Sequence, residues 1–272
     1  METSSGGIAV VVPAYQAAGY LEDTLETVAR QTLRPLELIV VDDGSTEATA
    51  AVANSFAATH EDLPIRVLRE PHRGPGAARN VGIRAARSEW IAFLDSDDLW
   101  YPEKLERMVA AIATNPLANF YCHNEVIRSL DGTESVMDYG AGLSPSEPLP
   151  RQLYRRNLFS TSAVVCRRDL LQRWNGFDEA LTSAQDYELW LRMSSDLVPV
   201  FVRQVLGIYL MRPGNISTSR FWLRLVNILR VKHRHRNKGG AALYLLGIVE
   251  ISLSHISRPL RAFINRLGSQ RI

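Results

Sequence analysis

The chain has 272 residues, of which 46% are hydrophobic and 22% charged, and its formal net charge is +2. This composition predicts an ordered globular protein with a large core and excludes a low-complexity or disordered class. The charge is unevenly distributed along the chain. Residues 218–272 include eleven basic residues and one acidic residue, whereas residues 1–217 include 20 basic and 28 acidic residues. An acidic body of this kind argues against nucleic acid as the partner, since it would repel phosphate.

The cysteines and the apolar segments predict where the protein works. Cys122 and Cys166 lie in apolar stretches and are expected to be buried free thiols, which suits a reducing cytosol. Residues 1–7 lack the basic leader of a secretory signal, and the apolar stretch 241–253 is short and interrupted by Glu250. We therefore expect a cytoplasmic protein, with peripheral contact at the cytoplasmic face of the membrane as an option.

The first half of the chain alternates short apolar runs with segments of helical periodicity. The predicted strands are 8–12, 36–41, 65–68 and 90–94, and the predicted helices begin near residues 21, 47, 76 and 102. Near-continuous apolar strands separated by helices are typical of a parallel sheet covered on both faces. The pattern predicts an α/β fold, in which residues 1–115 form one half of a domain.

Residues 116–217 are expected to form a less regular second half of the same domain. The predicted elements are strands at 120–123, 162–166 and 198–202 and a helix that includes 189–193. The first two of these strands are separated by a long connection rich in glycine and proline. Connections of this length are usually functional or mobile.

Residues 218–272 are expected to form a basic helical tail. Apolar residues recur at helical spacing in two places: Trp222, Leu225, Val226 and Leu229, and then Leu260, Phe263, Ile264 and Leu267. Basic amphipathic helices can lie on an anionic membrane surface. The alternative is a helical subdomain that packs on the acidic body through charge complementarity.

Chemically distinctive motifs follow three of the predicted strands. They are Pro13-Ala14-Tyr15, Asp42-Asp43-Gly44-Ser45-Thr46 and Asp95-Ser96-Asp97-Asp98. Because the carboxyl ends of parallel strands lie at one edge of a sheet, we expect these motifs to line a single crevice. There Tyr15 offers a ring for stacking on a nucleobase, and Asp43 offers an acceptor for a base N–H.

The acidic turn after the fourth strand crowds Asp95, Asp97 and Asp98 together. Like charges this close are costly unless a cation lies between them, and sparse carboxylates suit Mg²⁺ or Mn²⁺ shared with substrate phosphates. The alternative is a solvated turn in which Asp97 or Asp98 caps the next helix. The motif that contains Asp43 has the same alternative of a turn followed by a helix cap.

Two further segments carry candidate functional residues. In the glycine-rich segment 73–80, the opening of a helix can bring backbone N–H groups near phosphate. Arg73 and Arg79 would neutralise a diphosphate or pair with carboxylates of the body, and Asn80 is either a local contact or part of a nucleotide site. At the start of another amphipathic helix, Asp186 is either a helix cap or a general base for a hydroxyl.

Together these motifs resemble the family 2 glycosyltransferases with the GT-A fold, over about residues 8–219. In order, they are Val11-Val12-Pro13-Ala14-Tyr15, Val40-Val41-Asp42-Asp43-Gly44-Ser45-Thr46, Gly74-Pro75-Gly76-Ala77-Ala78-Arg79-Asn80, Leu94-Asp95-Ser96-Asp97-Asp98 and Gln185-Asp186-Tyr187-Glu188-Leu189-Trp190. The resemblance implies metal-assisted, inverting transfer of a sugar from a nucleotide diphosphate, with a UDP-sugar as the expected donor. The expected acceptor is a saccharide or lipid-linked hydroxyl, in cell-surface polysaccharide or glycolipid synthesis.

The resemblance also implies a role for each site residue. Donor-binding residues would be Pro13, Tyr15, Asp43, Arg79, Asn80, Asp95 and Arg212; Asp97 and Asp98 would hold Mg²⁺ or Mn²⁺; and Asp186 would be the general base. Gln185 stands where the family usually shows glutamate, and the histidine common in the loop around Arg212 is missing.

Two alternatives to the transferase come from different classes. A nucleotidyltransferase would want a glycine- and lysine-rich loop after the first strand, which residues 13–16 do not supply. A nucleotide-sugar-binding module without catalysis is disfavoured by the presence of Asp95, Asp97 and Asp186.

Overall fold

The computed structural model describes residues 7–212 and 221–240. The strands are β1 (Ile8–Ala14), β2 (Glu37–Asp42), β3 (Ile65–Arg69), β4 (Trp90–Phe93), β5 (Leu99–Trp100), β6 (Phe120–Arg128), β7 (Glu134–Met137), β8 (Val164–Arg167) and β9 (Pro199–Leu210). The helices are α1 (Leu21–Ala29), α2 (Thr49–Thr59), α3 (Pro75–Ala85), α4 (Lys104–Thr114), α5 (Leu149–Arg155), α6 (Arg168–Arg173), α7 (Gln185–Met193) and α8 (Phe221–Arg234). A 3-10 turn, Thr161–Ala163, leads into β8.

One mixed sheet organises the described residues. Its strand order is β3-β2-β1-β4-β8-β6-β9-β5, and β7 pairs with β6 outside this path. The four strands from β3 to β4 are mutually parallel, β8 runs antiparallel to both β4 and β6, and β9 runs parallel to β6. The predicted α/β fold of GT-A type is therefore confirmed. The boundary expected near residue 115 stays a prediction.

The helices cover both faces of the sheet. Along β1, Ala9 and Val11 face one core, which includes side chains of α3 and α7, whereas Val10 and Val12 face a second core with side chains of α1, α2 and α4. Alternation of this kind follows from the two-residue repeat of a strand. Gly82 lets α3 lie close to β1, because a Cβ there would sit 2.3 Å from Cγ1 of Val11. This close packing brings the start of α3 to the edge where the motifs gather.

The second half contains more regular structure than the sequence predicted. The expected connection between residues 123 and 162 holds the rest of β6, the β7 strand and α5. The strand expected at 198–202 continues to Leu210 as β9. Arg203 and Gln204 interrupt its apolar pattern because the pairing of β6 with β9 shifts register there. A bulge of this kind hides a long strand from a pattern of alternating residues.

The helix predicted at the start of the tail is present as α8, and its two sides differ in exposure. Asn227 and Val231 are 1% exposed, whereas Trp222 is 68% exposed and Val226 41% exposed. Asn227 donates hydrogen bonds to the hydroxyls of Thr182 and Ser183. The buried face of α8 therefore combines these polar contacts with the apolar side chains of Ile228 and Val231, which pack on the core of the body. Leu260, Phe263, Ile264 and Leu267 lie outside the described residues.

The predicted state of both cysteines is confirmed, since Cys122 and Cys166 are buried and free. Among residues 7–212 and 221–240, no helix is both long enough and apolar enough to cross a bilayer.

Candidate active site

Three neighbouring parallel strands end at one edge of the sheet and carry the predicted motifs. Ala14 is in register with Asp42 across β1 and β2, and Val11 is in register with Phe93 across β1 and β4. Tyr15, Asp43 and Asp95 each follow within two residues of these strand ends. The expected convergence of the three motifs on one edge is what the fold produces.

Asp43 is buried and its carboxylate holds the loop before α3. One oxygen accepts the backbone N–H of Arg73 at 2.8 Å, and the other accepts that of Gly74 at 2.8 Å. Gly74 has a φ of 94°, which favours glycine and lets α3 begin immediately after this contact. The motif around Asp43 is therefore not a helix cap, because α2 begins only at Thr49.

His72, which the sequence did not single out, contacts both predicted base-binding residues. Its ring stacks on that of Tyr15 with the centroids 4.0 Å apart and the planes at 20°. Its Nδ1 lies 2.8 Å from Oδ2 of Asp43. Pro13 precedes this group as a buried residue of β1. The imidazole thus occupies the ring face and carboxylate that were predicted to bind a nucleobase.

The carboxylates of the acidic turn after β4 lie in different environments: Asp98 is buried, whereas Asp95 and Asp97 are partly exposed. Asp98 is 1% exposed, and its two oxygens accept hydrogen bonds from the hydroxyl of Ser162 at 2.6 Å and the backbone N–H of Leu210 at 3.1 Å. Burial and the charges of Asp97 and Asp95 raise the pKa of Asp98 well above its usual range. The helix-cap alternative is wrong for this turn, since α4 begins at Lys104, six residues later.

Asp97 is partly exposed and stands in a field of mixed charge. Burial and the neighbouring Asp95 raise the pKa of Asp97 to about 6, and the positive charges of Arg212 and Arg79 oppose part of this rise. Asp95 itself accepts a hydrogen bond from Arg79 at 2.5 Å. Of the two predicted metal ligands, Asp97 has the carboxylate that is open to a ligand in this arrangement.

Arg79 and Arg212 approach the acidic turn from different elements. Arg79, on α3, is 6% exposed, and Arg212 lies just beyond β9 with its guanidinium 4.7 Å from the ring centroid of Tyr20. The Nε atoms of both arginines are buried and have no hydrogen-bond acceptor among the described residues. Each of the two predicted arginines therefore has one N–H that no described residue accepts.

Asn80 is committed to a contact within the protein. Its side-chain oxygen accepts the backbone N–H of Phe177, and its side-chain N–H groups reach the carbonyl of Phe177 and a carboxylate oxygen of Glu179. The amide therefore joins α3 to the segment before α7. Its predicted contact with the donor stays a prediction.

Asp186 lies in the first turn of α7, two residues after Ala184, which has a φ of 59°. It is not the helix cap, so that alternative is wrong. Its Oδ2 accepts a hydrogen bond from the side chain of Asn157 at 2.7 Å. Burial raises the pKa of Asp186, and the charges of Arg79 and Asp95 also act on it. Two of the charges that act on Asp186 are therefore those of Asp95, in the acidic turn, and of Arg79, which donates to Asp95.

The residues present fit a divalent cation shared with a phosphate ligand. Asp95 and Asp97 repel one another, and this cost disappears when a cation lies beside them. Across residues 7–212 and 221–240, no group of three or more His, Cys, Asp or Glu side chains forms a cage for a metal. Sparse carboxylates suit Mg²⁺ or Mn²⁺, which keep substrate oxygens and water among their ligands.

Several site residues had no recognisable pattern in the sequence. His72, Asn157 and Ser162 lie in segments of unremarkable polarity, and each meets a predicted site residue from 29 to 67 positions away. Only the tertiary fold brings these pairs together.

Comparison with known proteins agrees with this geometry. The family model described as glycosyl transferase family 2 matches residues 9–173, which is more than half of the chain. The chain belongs to this family. It is 35% identical to the succinoglycan biosynthesis protein ExoO of Rhizobium meliloti, across 97% of this chain and 87% of that protein.

A second relative has a defined activity in its name. The chain is 27% identical to WfgD of Escherichia coli, a UDP-Glc:alpha-D-GlcNAc-diphosphoundecaprenol beta-1,3-glucosyltransferase, across 79% of this chain and 81% of WfgD. Other relatives are longer than the match: the chain covers 61% of an uncharacterized glycosyltransferase from Haemophilus influenzae and 30% of one from Rickettsia felis.

Solved structures share the fold. A fragment of TarS from S. aureus in complex with UDP-GlcNAc has a TM-score of 0.69 and 22% identity, covering 88% of this chain and 71% of that one. The mannosyltransferase PcManGT from Pyrobaculum calidifontis, in complex with GDP-Man and Mn²⁺, has a TM-score of 0.62 and 19% identity, covering 97% and 80%. At these identities the likeness supports the GT-A fold alone.

Proposed function

We propose that this family 2 glycosyltransferase moves a sugar from a UDP-sugar to an acceptor hydroxyl, with inversion at the anomeric carbon and help from Mg²⁺ or Mn²⁺. The observation that carries the proposal is the acidic turn after β4. There Asp97 is electrostatically coupled to Asp95, Arg79 and Arg212, and Asp186 is coupled to Asp95 and Arg79. These shared charges support a site in which Asp186 would be the base, Asp97 would hold the metal and Arg79 and Arg212 would face the diphosphate.

The donor would lie along the edge formed by β1, β2 and β4. Pro13 and Tyr15 would border the base, and Asp43 would accept its N–H once His72 has moved aside. Asp95 would lie near the ribose and Arg79 near the diphosphate. The complexes of TarS with UDP-GlcNAc and of PcManGT with GDP-Man support a nucleotide-sugar donor without deciding between the nucleotides.

Asp97 would hold the cation, with Asp98 as its buried support, since both oxygens of Asp98 already accept hydrogen bonds. When bound, the cation supplies positive charge to the diphosphate as it leaves. Arg212 and Arg79 would add to this stabilisation through N–H groups aimed where negative charge develops. Arg212 stands just past the end of β9, so the strand positions it over the acidic turn.

Asp186 would accept the proton of the acceptor hydroxyl. Burial raises the pKa of Asp186, which makes its carboxylate a stronger base than that of an exposed aspartate. The amide of Asn157 fixes one of its oxygens. As the acceptor oxygen bonds to the anomeric carbon, the bond from that carbon to the diphosphate breaks, and the proton passes to Asp186.

The test of this assignment is Asp186→Asn. We expect transfer to fall at least about 10²-fold, because the base is lost, while donor binding measured by calorimetry with UDP and Mn²⁺ stays within about twofold. Asp169→Asn, an exposed carboxylate paired with Arg167, is the matched control and keeps full activity. Normal transfer by Asp186→Asn would remove Asp186 from the mechanism.

The same assay separates the alternatives. A nucleotidyltransferase releases pyrophosphate from a nucleoside triphosphate, whereas a glycosyltransferase releases a nucleoside diphosphate from the sugar donor. A binding module would bind the donor without turnover in the presence of Mn²⁺ and a range of saccharide acceptors.

For the acceptor we propose a saccharide, either free or carried on a lipid diphosphate, in surface polysaccharide synthesis. The names of ExoO and WfgD support this class. Membrane-surface contact through residues 218–272 also remains a proposal. The exposed residues Leu223 and Val226 of α8 support it, whereas Lys232 donates to the carbonyls of Tyr154 and Arg155 on the body. Sedimentation of the full chain with anionic vesicles, with and without Val226→Asp, tests it.

A further inference from the structure

One buried serine gathers hydrogen bonds from both ends of the acidic turn. The hydroxyl of Ser162 donates to Oδ2 of Asp98 at 2.6 Å and accepts the backbone N–H of Asp95 at 3.1 Å. Its carbonyl accepts the indole N–H of Trp100 at 3.0 Å and the ammonium of Lys104 at 2.9 Å. Ser162 is 1% exposed, so none of these bonds is shared with bulk water.

The carbonyl of Ser162 faces two buried side chains, Trp100 and Lys104. The Nζ of Lys104, which is completely buried, lies 3.1 Å from a ring centroid of Trp100. Burial lowers the pKa of Lys104 well below its usual range, and Glu125 of β6 acts against this shift. Ser162 is therefore held from one side while it holds the acidic turn from the other.

The acidic turn is fastened on a second side as well. The remaining oxygen of Asp98 accepts the backbone N–H of Leu210, two residues before Arg212. A continuous set of hydrogen bonds thus runs from Ser162 through Asp98 to the end of β9. It ties the predicted metal-binding turn to the strand that presents Arg212.

From this arrangement we infer that Ser162 is a positioning residue for the metal and diphosphate site. Its hydroxyl binds the residues on either side of Ser96 and Asp97, so it fixes the path of the backbone that carries the Asp97 carboxylate. The inference rests on the proposed function, in which Asp97 holds the cation. Without the hydroxyl, the N–H of Asp95 loses its acceptor and the buried Asp98 loses one of two donors.

The experiment compares Ser162→Ala with wild type by Mn²⁺ titration in the presence of UDP, reading free Mn²⁺ by electron paramagnetic resonance. We expect Mn²⁺ affinity to fall about tenfold, in line with the loss of a group that orients metal ligands. The matched control is Ser88→Ala, which removes a buried hydroxyl bonded to Glu37 at the opposite end of β4. That variant should keep wild-type Mn²⁺ affinity.

Two further variants separate positioning from folding. Ser162→Thr retains a hydroxyl and should recover Mn²⁺ affinity to within about threefold of wild type. If Ser162→Ala does not fold, Ser162→Cys keeps the side-chain size but replaces the hydroxyl with a weakly bonding thiol, and should show the same loss. Melting temperatures of all variants accompany each titration.

The outcomes distinguish the inference from the proposed function. If wild type fails to bind Mn²⁺ with UDP, the proposed function is wrong. If wild type binds and the folded Ser162→Ala or Ser162→Cys variant binds within twofold of it, the positioning role of Ser162 is wrong. Weaker binding in these variants, with unchanged binding in Ser88→Ala, supports the role.

Discussion

Two clusters of charged side chains in this molecule are built in opposite ways. In the acidic turn after β4, burial and neighbouring carboxylates raise the pKa of Asp97 and Asp98. In the cluster at the junction of α7 and α8, Glu188 is as buried as Asp98, but His235 and Arg192 donate to it. Despite the opposing effect of burial, these partners lower the pKa of Glu188.

The difference shows which cluster needs a partner from outside. Around Glu188 the charge is compensated within the protein, so the cluster serves to join α8 to the body. Around Asp97 the negative charge exceeds what Arg79 and Arg212 offset. A protein tolerates such an imbalance at a functional site, where a ligand completes it.

The strongest test of this contrast is Asp97→Asn. We expect turnover with Mn²⁺ and a UDP-sugar to fall at least about 10²-fold, since the amide cannot neutralise a cation. The melting temperature should stay the same or rise, because repulsion with Asp95 is relieved. Asp62→Asn, an exposed carboxylate paired with Arg34, is the control for loss of a surface charge. A fully active Asp97→Asn would contradict the metal assignment.

Glu188→Gln should show the reverse behaviour. Removing the charge leaves His235, Arg192 and Arg234 without their shared partner, and we expect a loss of about 2 kcal/mol in unfolding free energy. This expected loss of unfolding free energy is smaller than that for a fully buried ion pair, because the guanidinium groups of Arg192 and Arg234 remain partly in water. Chemical denaturation measures it, alongside specific activity, which should change little.

The control for this variant is Glu134→Gln, which breaks an exposed pair with Arg128. It should cost no more than about 0.5 kcal/mol. Equal destabilisation of both variants would mean that the cluster around Glu188 contributes nothing special to the fold.

On acidification, we expect activity and stability to be lost at different pH values, because the two clusters titrate in different ranges. The pKa of Asp186 is raised above its ordinary 3.8, so activity falls as the pH drops through that raised value. The folded pKa of Glu188 lies below its ordinary 4.5, so its stabilising contribution is complete above 4.5 and is lost only as the pH falls through the lower value. The pKa of Asp97 is raised to about 6, so activity that depends on the ionised Asp97 falls by about tenfold per pH unit below that value, before the contribution of Glu188 is lost.

Rate profiles and circular dichroism on the same samples check this order. Simultaneous loss of activity and secondary structure on acidification would show that unfolding, and not protonation of the base, limits the enzyme.

The sequence predicted the donor half of the fold well because its information is local. Each of β1 to β4 is an apolar run, and a distinctive motif follows directly at three of their ends. By contrast, only the first part of β9 was predicted, because its apolar pattern breaks at Arg203 and Gln204, where the register of its pairing with β6 shifts. The contact of α8 with the body could not be predicted from spacing, since Asn227 donates to hydroxyls that no periodicity reveals.

The same limit applies to the candidate site. Carboxylates at strand ends are visible as motifs, whereas the groups that orient them come from distant segments. Asn157 meets Asp186, and Ser162 meets Asp98, only after the second half of the chain has folded against the first. Polar residues of this kind have no spacing rule, so the sequence could not identify them.

The smallest expected effect concerns the pair formed by His72 and Asp43. This pair lies at the edge of the sheet that carries the predicted donor-binding motifs, and not between two packed helices. The rings of Tyr15 and His72 are only 4.0 Å apart, so a base that stacks on this face of Tyr15, as proposed, would have to displace the imidazole. In His72→Ala that competition is gone, and UDP should bind up to about fivefold more tightly, equivalent to about 1 kcal/mol of stacking.

Calorimetry with UDP measures the change, and Tyr15→Ala serves as the control that weakens binding because the ring face is lost. Weaker binding by His72→Ala would instead mean that the imidazole stays against the bound base. On the proposed function, the charged contacts around Glu188 stay formed during turnover, whereas the contact between His72 and Asp43 would open when the donor binds. The direction of the change in UDP affinity therefore shows whether the contact between His72 and Asp43 breaks when a donor binds.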